Sequence, residues 1–171
     1  MPRHMTGSCN DCAARWSLVE SSREKKRMSG RFFLDTNVFV YEFDTRDPHK
    51  TDRASNLIRS AILSRQGVVS YQVVQEFFSV AFTRFQKPLG FTGVEEYFST
   101  VFKPLLAVHS SPRLLLEALR MRTEHQFSWY DSLIVCAAKQ AECSILYTED
   151  MQDGRRIGDL KIQNPFRKLT G

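Results

Sequence analysis

The sequence predicts an α/β protein with a central, mainly parallel sheet of four or five strands between two layers of helices. Short apolar runs, typical of buried strands, alternate with longer amphipathic stretches that are typical of helices. The 171 residues suffice for one domain with a substantial core and hardly for two. Because helices of this length separate the strands, we expect parallel pairing through right-handed crossovers in a three-layer α/β/α sandwich.

The first half of the domain begins with a strand at residues 31–34, followed by a short helix or turn over "VFVYEFD". The stretch "HKTDRASNLIRSAILSR" is amphipathic, and Gly67 breaks this helix. The apolar face comprises Ala54, Leu57, Ile58, Ala61 and Ile62. A brief strand "VVS" comes next. Ser70 then caps the helix "YQVVQEFFSVAFTRF".

The second half continues the alternation after the loop "QKPLGFTG". "VEEYFSTVF" predicts a helix and "KPLLAVHS" a strand, and a further helix runs from Ser111-Pro112 to Glu124, with serine as cap and proline first. "FSWYDSLIVCAAKQAEC" is the next helix, "SILYTED" a buried strand that ends in acids, and "LKIQNPF" the last short strand.

Residues 1–29 differ from the rest of the chain in composition. They hold six basic and three acidic residues, whereas the whole chain has a net charge of +5. We expect a disordered N-terminal extension here and the folded domain at residues 30–171, with translation starting at Met1 or at Met28. No apolar run reaches the roughly 18–20 residues that cross a bilayer, and the N-terminus lacks the apolar centre of a secretory signal. These features predict a cytoplasmic location.

Four acids fall where the predicted sheet would bring them together. Asp35 follows the first strand and Asp150 follows "SILYTE", while Asp131 and Glu76 lie in the first two turns of helices. Strands of a parallel sheet end at the edge where the following helices begin, and ligands bind beyond that edge. Converging carboxylates repel one another, and a divalent cation holds them together. Oxygen ligands alone favour Mg²⁺ or Mn²⁺ over zinc.

Each acid also has an ordinary structural interpretation. Asp35 in "DTN" can cap the following turn, and Ser128 with Asp131 fits a capping box. Glu76 can be a solvent-facing helix residue, although apolar neighbours leave little solvent face there, and Asp150 can be a loop acid. A capping aspartate keeps a free carboxylate oxygen, so capping and metal binding are compatible. Only the joint pattern of the four acids favours a site.

Five motifs together resemble the PIN-domain ribonucleases, and most of all the VapC-type toxins of bacterial VapBC toxin–antitoxin systems. The motifs are, in order, "FLDTNVFVY", "VVQEFF", "WYDSLIVCAA", "LYTEDMQDG" and "IQNPF". Each motif alone is weak, but five in order and spacing are strong. The resemblance implies a PIN-like fold, Mg²⁺- or Mn²⁺-dependent endoribonuclease activity, a homodimer, and inhibition by a small VapB-like antitoxin.

Residue roles follow from the same resemblance. Matched motif by motif, the catalytic and metal-binding acids are Asp35, Glu76, Asp131 and Asp150. The resemblance implies direct metal contacts for Asp35 and Asp131, and contacts through water or a second ion for Glu76 and Asp150. A metal-activated water would then hydrolyse an RNA phosphodiester.

Supporting roles fall on residues near the acids. Thr36 and Asn37 match the polar pair after the first acid, and Thr148 matches the hydroxyl two residues before the fourth. Asp153 departs from the pattern of many relatives, and it either binds a second metal or stays in solvent. Arg155 and Arg156 are candidates for phosphate contacts, with a solvated loop pair as the alternative.

Two other functions compete with a nuclease. A phosphatase that forms an aspartyl-phosphate would need a second acid two residues after Asp35, where this chain has Asn37. A catalytically silent PIN-like module that binds RNA or protein is the stronger alternative. The presence of all four acids favours the enzyme.

Overall fold

The computed structural model describes residues 30–85 and 89–167, so the predicted extension at residues 1–29 lies outside the described residues. Its sheet has six strands in the order β3-β2-β1-β4-β6-β5. Their bounds are Phe32–Leu34 (β1), Gly67–Ser70 (β2), Leu106–Val108 (β3), Ile145–Tyr147 (β4), Arg156–Ile157 (β5) and Leu160–Gln163 (β6).

The helices lie between these strands in the chain. Their bounds are Thr36–Glu42 (α1), Pro48–Ser64 (α2), Tyr71–Thr83 (α3), Phe91–Tyr97 (α4), Lys103–Leu105 (α5), Pro112–His125 (α6) and Trp129–Gln140 (α7), and a π-helical segment at Phe98–Phe102 joins α4 to α5. The strand predicted over "KPLLAVHS" is therefore shorter than expected, because its first residues complete a helical turn. The three serine caps are confirmed: the hydroxyls of Ser70, Ser111 and Ser128 each accept a backbone N–H from the first turn of the following helix.

The order of the strands creates one crevice for a ligand. β1 pairs in parallel with β2 on one side and with β4 on the other. The chain builds outward from β1 to β2 and β3, and then returns to place β4 on the opposite side of β1. In open α/β sheets the ligand crevice lies beyond the carboxyl ends of the strands at such a switch. Asp35 follows β1 and Thr148 follows β4, so both lie at this point.

The predicted three-layer sandwich with a mainly parallel sheet is confirmed, with one strand more than expected. The additional strand is β5, which pairs antiparallel with β6 at the edge of the sheet. Gly158 adopts φ 62° in the tight turn between them, a conformation that glycine reaches without strain. Only two residues belong to β5, and so short a run has no alternation that could have revealed it.

The core packs both faces of the sheet and contains a group of aromatic rings beside α1 and α3. Phe77 lies with its ring centre 5.0 Å from that of Phe102 and 5.0 Å from that of Tyr97, and Phe39 lies 4.7 Å from Phe102. Phe39, Phe77 and Phe102 are fully buried. This packing fixes the positions of α1, which follows Asp35, and of α3, which carries Glu76.

A membrane-spanning helix would need a long apolar run, and none of the helices in residues 30–85 and 89–167 has one.

Candidate active site

Asp35 lies directly after β1, at the switch point where the strand order places the crevice, and is almost fully buried, with 7% of its surface exposed. It is the N-cap of α1, and its Oδ1 accepts the backbone N–H of Thr36 at 2.6 Å. Burial raises the pKa of the Asp35 carboxyl to about 7, and the nearby charges of Asp150 and Glu76 act in the same direction. The cap and the candidate site are therefore the same carboxyl group.

The hydroxyl of Thr148 connects three residues of the crevice. It donates a hydrogen bond to Asp35 Oδ2 at 2.6 Å, which lowers the pKa of Asp35 and partly offsets the effect of burial. The same oxygen accepts the backbone N–H of Asp150 and the side-chain N–H of Asn37, each at 3.2 Å. Thr148 is fully buried. These contacts place Thr148 beside the first and fourth candidate acids, Asp35 and Asp150. Its supporting role in catalysis stays a prediction.

Asn37 bridges α1 to the loop after β4. Its Nδ2 donates to Asp150 Oδ2 at 3.1 Å as well as to Thr148. Its Oδ1 is buried and is the one such side-chain atom in residues 30–85 and 89–167 that has no hydrogen-bond partner. A buried acceptor without a donor is costly, and a water or a cation in the crevice would satisfy it.

Glu76 reaches the crevice from α3. Its Oε2 accepts the hydroxyl of Thr36 at 2.7 Å, and its Oε1 accepts the side-chain N–H of Gln72 at 2.8 Å. Asp35, Glu76 and Asp150 are thus brought to one place by neighbouring residues of α1. Gln72 did not emerge from the sequence as a site residue, although it lies four residues before Glu76 on the same helix face.

Asp131 stands apart from this network. It lies in the first turn of α7, where its backbone N–H donates to Ser128 Oγ at 3.1 Å. Tyr130 in the same turn lines a cavity of about 370 Å³, together with Ser70 at the end of β2 and Val108 at the end of β3. Within residues 30–85 and 89–167, the Asp131 carboxylate takes no part in the hydrogen bonds that Thr36, Asn37 and Thr148 make to the other three acids.

The donor atoms of the crevice fit a hard divalent cation, but their positions do not yet form a closed ligand set. Carboxylate and amide oxygens are the donors that Mg²⁺ and Mn²⁺ prefer, and the unpartnered Asn37 Oδ1 is one more such oxygen. Within the described ranges, however, no three His, Cys, Asp or Glu side chains stand close enough to hold a metal ion. Glu76 and Asp150 would have to exchange their present partners for the cation.

Asp153 and the two arginines lie in structural roles outside this network. Asp153 accepts the backbone N–H of Asn164 and the guanidinium of Arg167, both at 2.9 Å, and these two contacts hold its pKa below the usual range. Arg155 donates to the backbone oxygen of His125 at 2.9 Å and stacks over Phe127. Arg156 is exposed on β5. Of the three, only Arg156 keeps a side chain free of contacts that tie it to the fold.

The family model of the PIN domain matches residues 32–157. That span is most of the chain and includes β1, the crevice and the loop after β4, so the chain belongs to the PIN domain family. A search of curated protein sequences found no significant match.

Solved structures with the same fold support this assignment. One is a toxin–antitoxin complex from Klebsiella pneumoniae, with a TM-score of 0.57 and 16% identity, covering 78% of this chain and 96% of that one. VapBC2 from Rickettsia felis, bound to a fragment of its promoter DNA, has a TM-score of 0.54 and 18% identity, with coverages of 78% and 97%. VapC20 from Mycobacterium tuberculosis, a toxin that cleaves the sarcin-ricin loop, has a TM-score of 0.52 and 16% identity, covering 70% of this chain and 91% of that one. The resemblance to VapC-type PIN domains is thereby confirmed, and at these identities it shows the fold.

Proposed function

We propose that this chain is a Mg²⁺- or Mn²⁺-dependent endoribonuclease and the toxin of a toxin–antitoxin pair. The observation that carries the proposal is the Asp35 carboxyl, which is buried at the switch point of a PIN fold with Glu76 and Asp150 near it. A fold has no need to bury a carboxyl among other acids, and their shared cost is offset when a cation binds. The membership of the PIN family and the toxins among the similar structures support the substrate and the role.

In this proposal, four acids bind the cation and two polar residues orient them. Asp35, Glu76, Asp131 and Asp150 would hold the cation, with Asn37 and Thr148 orienting Asp35 and Asp150 through the hydrogen bonds described above. When bound, the cation supplies positive charge to the phosphate and acidifies water. One of these carboxylates, ionised at neutral pH, would accept the proton of the attacking water. The burial of Asp35 limits the access of other water molecules to the site.

Partners follow from the same proposal. RNA is the substrate, as it is for VapC20, and a small VapB-like antitoxin would inhibit the enzyme. Several large apolar side chains are exposed on α3 and α6, namely Tyr71, Phe82, Leu115, Leu116 and Leu119. These exposed side chains favour association, either as a homodimer or with the antitoxin. We expect this association to take place in the cytoplasm. Light scattering of the purified chain would measure the oligomeric state.

Cleavage of labelled single-stranded RNA in Mn²⁺ tests the nuclease directly. We expect the parent chain to cleave and the variants Asp35→Asn and Asp131→Asn to lose at least 100-fold in rate, a loss typical of removing a group that stabilises the transition state. The matched control is Asp159→Asn, which removes an exposed acid in the turn between β5 and β6 and should cleave like the parent chain.

A catalytically silent PIN-like module is the alternative, and one observation favours it. Among the described residues, no three His, Cys, Asp or Glu side chains stand close enough to hold a metal ion. If the parent chain leaves several RNAs intact and Mn²⁺ does not change its stability, the nuclease proposal is wrong. Retained RNA binding in that case would support the silent module.

A further inference from the structure

A half-buried lysine pairs with the residue next to Asp150. Lys50 of α2 places its Nζ 2.5 Å from Glu149 Oε1 and 3.1 Å from the hydroxyl of Tyr41. The side chains of Lys50 and Glu149 are 23% and 26% exposed. Of the four ion pairs among the described residues, this is the one in which neither side chain is more than one-third exposed. Pairs shielded from water in this way are screened less than surface pairs.

Two aromatic rings complete the surroundings of the ammonium group. Its nitrogen lies 4.2 Å from the centre of the Tyr41 ring and 5.6 Å from that of Phe166. The two rings meet edge to face at 4.8 Å. Phe166 belongs to the chain end after β6, which Arg53 of α2 also holds through a 3.1 Å hydrogen bond to the backbone oxygen of Pro165. We call Tyr41, Lys50, Glu149 and Phe166 the lysine cluster.

The lysine cluster is continuous with the crevice at both ends. Glu149 lies between Thr148, which donates to Asp35, and Asp150, which accepts from Asn37. Tyr41 lies four residues after Asn37 and therefore on the same face of α1. The loop at residues 148–150 thus has two attachments to this helix face: the polar contacts of the crevice and the lysine cluster one turn further along.

We propose that Lys50 is a positioning residue: by pairing with Glu149 it holds the loop at residues 148–150 against α1 and so sets the affinity of the acid site for a divalent cation. Without the ammonium group, the Glu149 carboxylate would keep only its contact with the Tyr41 hydroxyl. It would then turn towards water, because a charge without an opposite charge beside it is costly to bury. The backbone on either side carries Thr148 and Asp150, so both would leave their contacts with α1. The part of this inference that concerns the cation rests on the proposed function.

Two measurements on the full chain test the role of Lys50. Hydrogen–deuterium exchange of the metal-free chain reports the loop itself, and the electron paramagnetic resonance signal of free Mn²⁺ reports metal affinity. We expect Lys50→Met, which keeps the apolar stem over the rings, to speed exchange at residues 148–150 at least fivefold and to raise the Kd for Mn²⁺ at least fivefold. Lys50→Arg keeps the charge and should restore both values to within twofold of the parent chain.

The matched control is Arg113→Met, which removes an exposed ion pair with Glu117 on α6 and should change neither value. If Lys50→Met exchanges and binds Mn²⁺ like the parent chain, the inference is wrong. Faster exchange with an unchanged Kd would also overturn it, since Lys50 would then only stabilise the loop. If the parent chain binds no Mn²⁺, the proposed function fails and the part of this inference that concerns the cation is overturned with it. Loop exchange then still decides whether Lys50 holds residues 148–150 against α1. If the parent chain binds Mn²⁺ and leaves the RNAs intact, the metal site stands, and the exchange rate and the Kd for Mn²⁺ support or overturn this inference as above.

Discussion

At the scale of single residues, the conflict at Asp35 links the structure to the function. The residue is a good helix cap, and its backbone and side-chain contacts stabilise the start of α1. Its burial near Glu76 and Asp150 nevertheless disfavours the ionised form and raises the pKa of its carboxyl to about 7. In the absence of a cation, the native state therefore keeps the proton on this carboxyl up to about pH 7, whereas the unfolded chain loses it near pH 3.8.

The sign of the pH dependence follows from that difference. Between about pH 4 and pH 7 the native state holds a proton on Asp35 that the unfolded state has lost, so this group makes the free energy of unfolding fall as pH rises. A shift of three pKa units corresponds to about 4 kcal/mol as an upper bound. We expect Asp35→Asn, which has the same shape and no charge, to have nearly the stability of the metal-free parent chain at pH 4 and to exceed it by a few kcal/mol at pH 8. Urea unfolding of both chains at several pH values measures this difference.

Asp159→Asn serves as the control, because its exposed carboxyl should give a difference that stays within about 0.5 kcal/mol at every pH. An Asp35→Asn variant that is less stable than the parent chain at pH 8 would show that the charge contributes more to the cap than its burial costs.

At the scale of elements, β2 and α2 pack closely at Gly67. A Cβ on Gly67 would lie 2.2 Å from the Cβ of Ala61 and 2.9 Å from its Cα. The helix itself ends earlier than Gly67: α2 stops at Ser64, and Arg65 takes the left-handed conformation at φ 56°. Gly67 therefore serves to let a strand approach a helix, which is a different role from the helix break expected from the sequence.

We expect Gly67→Ala to lower the free energy of unfolding by about 1–3 kcal/mol, because the added methyl meets backbone that cannot move aside. Gly93→Ala in α4 is the matched control. Its new methyl would meet only Leu89 at 3.7 Å, and alanine in a helix is favoured over glycine by roughly 0.5–1 kcal/mol. Urea midpoints of the two variants compare them. Equal midpoints for Gly67→Ala and the parent chain would mean that β2 and α2 can separate at little cost.

At the scale of the whole molecule, the crevice connects parts of the fold that are distant in the chain. β1 and β4 form its floor, and α1, α3 and the residues directly after β1 and β4 supply its side chains. The chain end after β6 contacts the neighbouring lysine cluster through Phe166. A cation bound there would join these parts and stabilise the native state over the unfolded state.

Thermal unfolding in Mn²⁺ measures that coupling. At a Mn²⁺ concentration about 100 times the Kd, we expect a stabilisation of about 3 kcal/mol, which is roughly 5–10 °C in Tm for a chain of this size. The shift should be larger at pH 8 than at pH 6, because below pH 7 the cation must first displace the proton of Asp35. Asp35→Asn should show little shift at either pH. A shift of equal size in that variant would place the metal elsewhere in the molecule.

The sequence by itself determined the features that depend on local patterns. The alternation of strands and helices, the serine caps of α3, α6 and α7, and the places of the acids after β1 and β4 are all readable within a few residues. The PIN family was also recognisable, because its motifs are short stretches at spaced intervals.

Only the tertiary structure decided how the acids are held. Thr36 and Glu76 are 40 residues apart, Lys50 and Glu149 are 99 apart, and Asn37 and Asp150 are 113 apart. No local pattern encodes these pairs, because which side chains meet depends on the packing of helices against the sheet. The pKa of Asp35 depends in the same way on burial, which neighbouring elements create. The sequence therefore placed acids directly after β1 and shortly after β4, and packing decided that Thr36, Asn37 and Thr148 hold Asp35, Glu76 and Asp150.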